Sequence, residues 1–532
     1  DIKVGNSLIN KIPFIIGKRV GSKDTGFVLD SAAQKILREY KKNVKAYKSE
    51  SNKVQKEKIK KTITSLKENM YSQYFQLNLF EDWETYNDEY LLYKNALEWA
   101  IEFPEILSED GVFLGFDCII GNPPYIQLQS MHEDADKLSR MNYLTYTKTG
   151  DIYCLFYELG YKLLKNNGIL SYITSNKWMK AGYGEALREF FLNHTDTFQL
   201  IDFAGTKIFD SATVDVNILM FQKHTYQKKT SSCIANQNCL DNLSVFVKQN
   251  SFYNEFFHGE PWVILNPIEQ SIKQKIESVG TPLKEWDIEI NYGIKTGFND
   301  AFIIDNHVRD ELIEKDSRSA EIIRPILRGR DVKRYSYDFA DKWIIATHNG
   351  NKGKGIPRIN IDDYPAIKEY LDQYFEKLAK RADKGDTPYN LRNCVYMDDF
   401  SKQKIVWGNL CLSAQYAMVE AGMYINAPSP FIATDDYYLL AALNSKIADW
   451  YVRNLGVTRN GGYFEYKAMF VEQIPIAQTV NSELKEKIIE AAYSLQNSKD
   501  NSQNQLEVEQ FINKCFYEIY NLTDTEIKYI EK

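Results

Sequence analysis

The sequence lacks several features that would place the protein in a membrane, metal-binding or disulfide-rich class. No 18 apolar residues run together, so the sequence predicts no membrane-spanning helix. Its 7 cysteines form no Cys-x-x-Cys pair and its 6 histidines do not stand at the spacing of zinc ligands, so we expect no metal site. This cysteine usage is typical of reduced, mostly buried thiols in a cytoplasmic protein.

An excess of positive charge is also missing. With 65 Lys and Arg against 72 Asp and Glu, the net charge is −7, which by itself disfavours a nucleic-acid partner. Contacts depend on local charge, however, and residues 324–334 contain five cations: Arg324, Arg328, Arg330, Lys333 and Arg334. A solvated charged face would explain the same run. The charge balance therefore weakens a nucleic-acid function without excluding it.

The composition that is present indicates folded structure in more than one domain. The chain has 532 residues, of which 44% are hydrophobic and 14% aromatic. Residues 30–73 are rich in Lys and Glu, with apolar residues at helical spacing, which predicts a helical hairpin or one long amphipathic helix. Apolar strands at 116–120, 169–174, 200–203 and 216–221 alternate with helical segments such as 151–165. That succession favours an α/β fold with a mostly parallel sheet.

The most informative motif follows the first of these strands. Phe116 to Gly121 is an apolar run that predicts a buried strand, and Asn122-Pro123-Pro124-Tyr125 comes directly after it. Two prolines exclude a continuing strand ladder and an immediate helix, so we expect a rigid extended loop. Ligands of open α/β sheets bind outside the carboxyl ends of the strands. An amide, free carbonyls and one aromatic ring at that edge suit a flat polar heterocycle.

The segment Asp117 to Tyr125 resembles the catalytic motif of amino-methyltransferases that methylate adenine in DNA. The resemblance extends through the following strands and helices, over roughly 200 residues. It implies that the Asn122 side chain and the Pro123 carbonyl, with Pro124 fixing the loop, accept hydrogen bonds from the adenine amine. It also implies that Tyr125 stacks on a base flipped out of the duplex. The alternative is that the two prolines merely end a strand.

Two more positions acquire roles from the same resemblance. Phe209 falls where the family places an aromatic ring on the second face of the flipped base, although a core phenylalanine at a turn would read the same way. Asn6 falls where the family binds the adenine of S-adenosylmethionine, the expected cofactor.

The sequence departs from the family pattern at the cofactor site. The Gly-rich turn and the acidic residue that hold S-adenosylmethionine should precede Asn6, whereas the sequence begins at Asp1. We therefore expect an incomplete cofactor site, a Rossmann-like sheet truncated at its N-terminus, and a polypeptide that is inactive alone because its N-terminal methyltransferase or nuclease portion is missing. No Pro-Asp dipeptide occurs, so any endonuclease would also lie in that portion.

The second half of the sequence is similar to the TaqI-like specificity domain of such enzymes. The similarity rests on Gly297-Phe298-Asn299, on Pro325 to Gly329, on Ser429-Pro430-Phe431 and on Gln473-Ile474-Pro475. It implies a mixed α+β target-recognition domain that binds double-stranded DNA. Because arginine and lysine read guanine and hold phosphates, the candidate contacts are basic: Lys295, Arg328, Arg330, Lys333, Arg334, Arg453 and Arg459.

Three domains are expected from these segments. They are a partial methyltransferase domain at 1–250 with a helical insertion at about 25–105, a recognition domain at 255–480, and C-terminal helices at 481–532. The predicted function is the adenine methyltransferase part of a Type IIG-like restriction–modification enzyme. Two alternatives remain open: a non-catalytic DNA-specificity module, and a methyltransferase of RNA or of glutamine in proteins.

Overall fold

The alternation of strands and helices predicted from Phe116 onward is present in the computed structural model. The structure describes residues 5–11, 14–20, 23, 30–76, 92–93, 95–203, 206, 208–209, 214–236, 239, 241–351, 353, 355–455, 458–459, 462–498 and 503–532. The chain divides into two compact units, Asp1–Leu265 and Asn266–Lys532. Among the described residues, no helix combines the length and the apolar character needed to cross a bilayer.

The first unit is an α/β unit built on one sheet. Its helices are α1 (Ser31–Ser49), α2 (Lys53–Gln76), α3 (Trp99–Glu102), α4 (Glu133–Ser139), α5 (Tyr153–Leu163), α6 (Glu185–His194) and α7 (Leu243–Asn250). Its strands are β1 (Phe116–Gly121), β2 (Leu164–Ser175), β3 (Asp196–Asp202), β4 (Val216–Gln222), β5 (Thr230–Ile234) and β6 (Phe252–Asn254).

The strands of this sheet follow the order β1-β2-β4-β3-β5-β6. Strand β1 pairs in parallel with β2, and β3 with β5, whereas β4 is antiparallel to both of its neighbours and β6 is antiparallel to β5. Four of the six strands therefore run in one direction. This confirms the predicted α/β fold with a mostly parallel sheet, and it places the carboxyl ends of β1, β2 and β3 along one edge.

The Lys- and Glu-rich stretch forms the hairpin α1–α2. Asp30 caps α1 by accepting a hydrogen bond from the Ala33 amide, and the chain turns at residues 50–52. Leu37 and Tyr40 of α1 share a hydrophobic core with Leu66 of α2. The charges lie outside this core, on the solvated faces, as an amphipathic pattern requires.

The second unit combines short strands with a helical layer. Its helices are α8 (Pro267–Val279), α9 (Asn299–Phe302), α10 (Asn306–Lys315), α11 (Pro365–Asp372), α12 (Phe375–Lys380), α13 (Tyr437–Asn444), α14 (Lys446–Leu455), α15 (Ala468–Val471), α16 (Ser482–Asn497), α17 (Gln503–Ile519) and α18 (Asp524–Ile530). Its strands are β7 (Thr281–Pro282), β8 (Ile290–Tyr292), β9 (Ile303–Asp305), β10 (Ile323–Leu327), β11 (Val332–Lys333), β12 (Ser336–Tyr337), β13 (Lys342–Ile345), β14 (Lys404–Trp407), β15 (Leu410–Cys411), β16 (Tyr416–Val419), β17 (Tyr424–Ile425), β18 (Pro430–Ile432), β19 (Thr458–Arg459), β20 (Tyr463–Glu465) and β21 (Pro475–Ile476).

Two four-stranded sheets organise this unit, in the orders β17-β10-β13-β9 and β16-β14-β18-β8. The C-terminal helices belong to the same core as the second sheet, because Ile488 and Phe516 pack in one cluster with Trp407 and Tyr416. The expected mixed α+β unit with C-terminal helices is present.

Two segments of the second unit fold differently from what their sequence pattern predicts. Residues 292–302 favour short strands joined by glycine turns, but strand β8 ends at Tyr292 and Asn299–Phe302 form a helical turn. The Thr296 hydroxyl accepts a hydrogen bond from the Phe298 amide at 3.2 Å, which is a local turn that competes with a strand. The helical pattern from Tyr437 to Leu455 is interrupted at Ser445, whose extended backbone (φ −65°, ψ 151°) separates α13 from α14.

Candidate active site

The loop Asn122 to Tyr125 stands at the carboxyl end of β1. Gly121, the last residue of the strand, pairs with Tyr172 of β2, and a Cβ at this position would lie 3.1 Å from the Tyr172 ring. After it, Asn122 is exposed and Pro123 is buried. The prolines thus end the ladder as expected, and the Asn122 amide projects from the edge where open α/β sheets bind ligands.

Tyr125 contacts the amide that precedes it. Its hydroxyl lies 2.9 Å from Asn122 Oδ1 and 3.2 Å from the Ile173 carbonyl oxygen, and its single proton serves one of these acceptors at a time. The ring meets Tyr153 edge-on, with centroids 6.0 Å apart. Burial, together with the nearby charge of Asp151, raises the pKa of Tyr125 to about 12. The phenol is therefore a neutral donor at physiological pH.

Asp151 fixes the far end of this loop. Its Oδ1 accepts a hydrogen bond from the Ile126 amide at 2.9 Å, and the Ile152 amide donates to the Ile126 carbonyl, also at 2.9 Å. Burial raises the pKa of Asp151, and backbone hydrogen bonds and the charge of Lys177 oppose that rise. The carboxylate ties the loop to the start of α5, a connection that the sequence analysis did not identify.

Further polar side chains lie at the ends of the neighbouring strands. Asn176 donates from Nδ2 to Asp202 Oδ1 at 2.9 Å, and Asn217 donates from Nδ2 to the Ser175 carbonyl at 3.1 Å. Asn217 is fully buried, and its Oδ1 has no hydrogen-bond partner among the described residues. A polar residue at or near the end of an apolar strand was the available signal, but the order of the strands in the sheet was needed to bring these residues together.

Phe209 lies in the same apolar cluster as Tyr125. Both side chains are partly buried and pack against one cluster of buried residues that includes Ile201, Phe203 and Val216. The structure thus places, on one apolar cluster, the two aromatic residues that the family resemblance assigns to the two faces of one base. Their role in stacking stays a prediction.

A cavity of about 520 Å³ opens beside Asn122 on the β1 side of the sheet. Its walls are mainly apolar and aromatic, and Asn122 and Ser7 add polar atoms: Ser7, Trp99, Phe103, Phe116, Cys118, Ile119, Ile120, Gly121, Asn122, Pro123, Pro124, Phe156, Leu159, Leu163 and Tyr172 line it. Asn6, the predicted cofactor ligand, stands next to Ser7, and its Oδ1 accepts a hydrogen bond from the Leu8 amide at 3.1 Å. None of the described residues that line it carries a charge.

The predicted DNA contacts of the second unit differ in exposure and in whether a carboxylate already pairs with them. Arg328 is paired with Asp331 (2.6 Å), Arg334 with Glu509 (2.6 Å) and Arg453 with Asp449 (3.7 Å). Arg330 and Lys333 are exposed, and the Lys333 ammonium donates to the Arg330 carbonyl at 3.3 Å. Lys295 is 60% exposed and pairs with Asp383 at 2.9 Å. Arg459 lies in β19, and its side chain is outside the described part of the chain.

Comparison with known proteins finds one family match in each half of the chain. Residues 6–209 match the Eco57I restriction-modification methylase family, and residues 324–476 match the TaqI-like C-terminal specificity domain. The chain therefore carries a restriction-modification methylase domain followed by a specificity domain, which confirms the resemblance seen in the sequence. The first match contains Asn6, the Asn122–Tyr125 loop and Phe209, whereas Lys295 lies outside both matches.

Individual relatives are methyltransferases or combined restriction enzymes and methyltransferases. The chain is 22% identical over 465 residues to the Type II methyltransferase M.BstVI of Geobacillus stearothermophilus, covering 82% of this chain and 79% of that protein. It is 24% identical over 404 residues to the Type II restriction enzyme and methyltransferase RM.Eco57I of Escherichia coli, covering 68% of this chain and 40% of that protein. The DNA-bound Type IIL enzyme MmeI shares the fold with a TM-score of 0.54 and 14% identity, over 82% of this chain and 58% of that chain.

Proposed function

We propose that this chain is the base-binding and recognition part of a site-specific DNA methyltransferase that modifies the exocyclic amine of adenine. The observation that carries the proposal is the Asn122–Tyr125 loop at the carboxyl end of β1, in a chain that also has a specificity domain. A loop with an exposed amide oxygen and an adjacent aromatic ring suits an amino group on a flat heterocycle.

The chemistry follows from the acceptors in this loop. The lone pair of an exocyclic adenine amine is delocalised into the ring, so the nitrogen is a weak nucleophile. Asn122 Oδ1 and the Pro123 carbonyl oxygen would accept its two N–H groups and favour a pyramidal nitrogen with a localised lone pair. Acceptors fixed where positive charge develops stabilise the transition state without reorganising. The product proton then leaves to water.

Base binding requires Tyr125 to change partners. Its hydroxyl now donates toward Asn122 Oδ1, the acceptor assigned to the adenine amine. We propose that a flipped adenine replaces this hydrogen bond and stacks on the Tyr125 ring, with Phe209 on the other face. The clustering of both rings beside the loop supports this arrangement.

The cavity beside Asn122 fits part of S-adenosylmethionine. Its aromatic and aliphatic walls, including Phe156 and Ile120, suit the adenine ring, and Ser7 and Asn122 offer polar atoms. When bound, this cofactor supplies an electrophilic methyl group. Among the residues that the structure describes, no charged side chain lines the cavity to hold the carboxylate, the ammonium or the ribose. We therefore propose that this chain alone binds the cofactor weakly and transfers methyl groups slowly.

The uncharged cavity also favours the second candidate, a DNA-specificity module without catalysis. One assay separates the candidates. The wild type, Asn122→Ala and the control Asn250→Ala, an exposed residue of α7, are incubated with radiolabelled S-adenosylmethionine at high concentration and with duplex DNA, RNA or a glutamine peptide. We expect label in N6-methyladenine of DNA, lost in Asn122→Ala and kept in Asn250→Ala. Label in RNA or peptide, or equal activity of both variants, would refute the catalytic assignment.

DNA binding is tested separately, because it does not depend on the cofactor. The logarithm of the affinity for a labelled duplex should fall linearly with the logarithm of the salt concentration, since each neutralised phosphate contributes about 0.9 to the slope. Asn122→Ala should leave this affinity within a few-fold of the wild type. Absence of binding at low salt would refute both DNA-directed functions.

A further inference from the structure

A groove of the second unit is lined in part by a segment that neither family match covers. The groove encloses about 960 Å³, which is within the range of ligand-binding sites. It is formed by residues 292–299, 392–396 and 426–428. The first of these segments precedes the matched specificity domain, which begins at residue 324.

The floor of the groove is built by close backbone contacts. A Cβ on Gly293 would lie 2.4 Å from the Ile425 carbonyl oxygen, so only glycine allows this approach. Gly297 has φ +69°, and a Cβ there would lie 3.0 Å from the Asp383 Cβ. The segment 293–297 is therefore pressed against the strands and loops beneath it.

Arg381 is the positioning residue for this segment. It is 7% exposed, and its guanidinium donates to the carbonyl oxygens of Thr296, of Asp383 at 3.2 Å, of Pro388 at 3.1 Å and of Asn390 at 2.5 Å. It also lies over the Phe302 ring, 4.5 Å from the centroid. One buried cation thereby fixes the loop of Lys295 relative to the loop of Asp383.

Two cations share one carboxylate on this scaffold. Lys295 Nζ lies 2.9 Å from Asp383 Oδ2, and an Arg392 guanidinium nitrogen lies 3.3 Å from Asp383 Oδ1. The Lys295 and Arg392 side chains are 60% and 61% exposed, whereas Asp383 is 21% exposed. This triad of Lys295, Arg392 and Asp383 leaves one net positive charge facing the groove, which suits an anion.

We propose that the groove binds one nucleotide of a DNA strand, with its phosphate between Lys295 and Arg392. Asp383 holds both cations in place before DNA binds and competes with the phosphate for them. Tyr292 and Val395, 40% and 74% exposed, lie along the groove and present apolar surface to the sugar and base. The inference rests on the proposed DNA-directed function and extends the recognition surface upstream of residue 324.

The experiment measures the binding of the full chain to a labelled duplex of random sequence across a salt series. We expect Lys295→Ala and Arg392→Ala each to weaken binding and to reduce the salt slope by about 1. Asp383→Asn should tighten binding at low salt, because it removes the competing carboxylate. The matched controls come from the exposed pair Lys368 and Asp362, 2.6 Å apart and outside the groove: Lys368→Ala and Asp362→Asn should change neither quantity.

The outcomes distinguish a failure of the groove proposal from a failure of the DNA-directed function on which it rests. A wild type that fails to bind any duplex at low salt refutes the DNA-directed function itself. A wild type that binds with a steep salt slope, while Lys295→Ala and Arg392→Ala match Lys368→Ala, overturns the groove alone. Thermal unfolding checks that each variant is folded, and the lysine and arginine variants decide the matter if Asp383→Asn is unstable.

Discussion

The hydroxyl and the ring of Tyr125 serve different partners. The hydroxyl donates toward Asn122 Oδ1 at 2.9 Å and toward the Ile173 carbonyl at 3.2 Å, and either bond holds the ring at the edge of the cluster that contains Phe209. Under the proposed function, a base that displaced the bond to Asn122 would gain the amide oxygen and the ring face together. In the structure, the hydroxyl of Tyr125 is satisfied within the protein.

This exchange gives a prediction at the level of a single atom. Tyr125→Phe keeps the ring and frees Asn122 Oδ1, whereas Tyr125→Ala removes a stacking partner worth about 1–3 kcal/mol. With 2-aminopurine at the target position, DNA binding should raise fluorescence in the wild type and in Tyr125→Phe, and should raise it much less in Tyr125→Ala. Equal responses of Tyr125→Ala and the wild type would show that the ring does not hold the base.

The sequence indicates which residues lie together where neighbours in the chain are also neighbours in space, whereas the roles of these residues stay predictions. Asn122 and Tyr125 are three residues apart, and the prolines between them dictate the loop. Arg381 was missed because its partners are four backbone carbonyls, which leave no trace in residue type. Arg328 was predicted as a DNA contact from its charge alone. The structure shows its guanidinium paired with Asp331, which sequence spacing does not reveal.

At the level of elements, a carboxylate joins two helices of the second unit. Glu526 of α18 accepts hydrogen bonds from Ser271 at 2.6 Å and Lys275 at 2.7 Å, both on α8. Burial by itself raises the pKa of Glu526, but hydrogen bonds from Lys275, Ser271 and Thr523 outweigh it and lower the pKa to about 2. The ionised carboxylate is the form that holds α8 and α18 together.

The direction of the pH effect follows from this lowered pKa. Because the pKa of Glu526 is lower in the folded state, its contribution is fully present above the unfolded value of about 4.5 and is lost as the pH falls toward 2. Allowing for solvent screening, we expect Glu526→Gln to lower the free energy of unfolding at pH 7 by about 1–2 kcal/mol. Denaturant titrations at pH 7 and pH 3 should show a smaller difference for the variant. An equal difference in both proteins would contradict the assignment.

Strand β1 is an edge strand of the sheet that the structure describes. It is also unusually open, since Ile120 is 83% exposed and the Cys118 thiol is exposed. Exposed apolar edges promote association by strand pairing. We predict that Ile120→Thr reduces self-association at high concentration without lowering the melting temperature, as measured by light scattering. Unchanged association would show that the edge does not pair.

The element pattern predicted from the sequence was reliable for the long strands of the first unit and weaker for the short strands of the second unit and for the connections. The apolar runs at 169–174 and 216–221 lie within β2 and β4. That β4 runs antiparallel between β2 and β3 could not be read from these runs, because a buried strand has the same pattern in either direction. Likewise, Thr296 and Asn299 determine the turn before α9 through side-chain hydrogen bonds rather than through periodicity.

At the level of the whole molecule, a net charge of −7 coexists with a local excess of cations on the second unit. Arg330 and Lys333 are exposed side by side, and the triad of Lys295, Arg392 and Asp383 adds one net positive charge. Net charge governs long-range steering, whereas contact depends on such local groups. If such local groups bind DNA as proposed, the salt slope should be modest, because each of a small number of phosphate contacts contributes about 0.9 to it.

The division of the chain at Leu265 and Asn266 gives the last prediction. Asn266 caps α8 in a full capping box with Glu269, and its Nδ2 donates to the Tyr529 hydroxyl at 2.9 Å. The first helix of the second unit is therefore capped by residues of that unit. Its two hydrophobic cores are made only of residues after 266. We therefore expect residues 266–532, expressed alone, to unfold cooperatively in denaturant and to bind random duplex DNA with a salt slope close to that of the full chain. A non-cooperative transition would show that the unit depends on the first 265 residues, and a much shallower slope would place most phosphate contacts on the methylase unit.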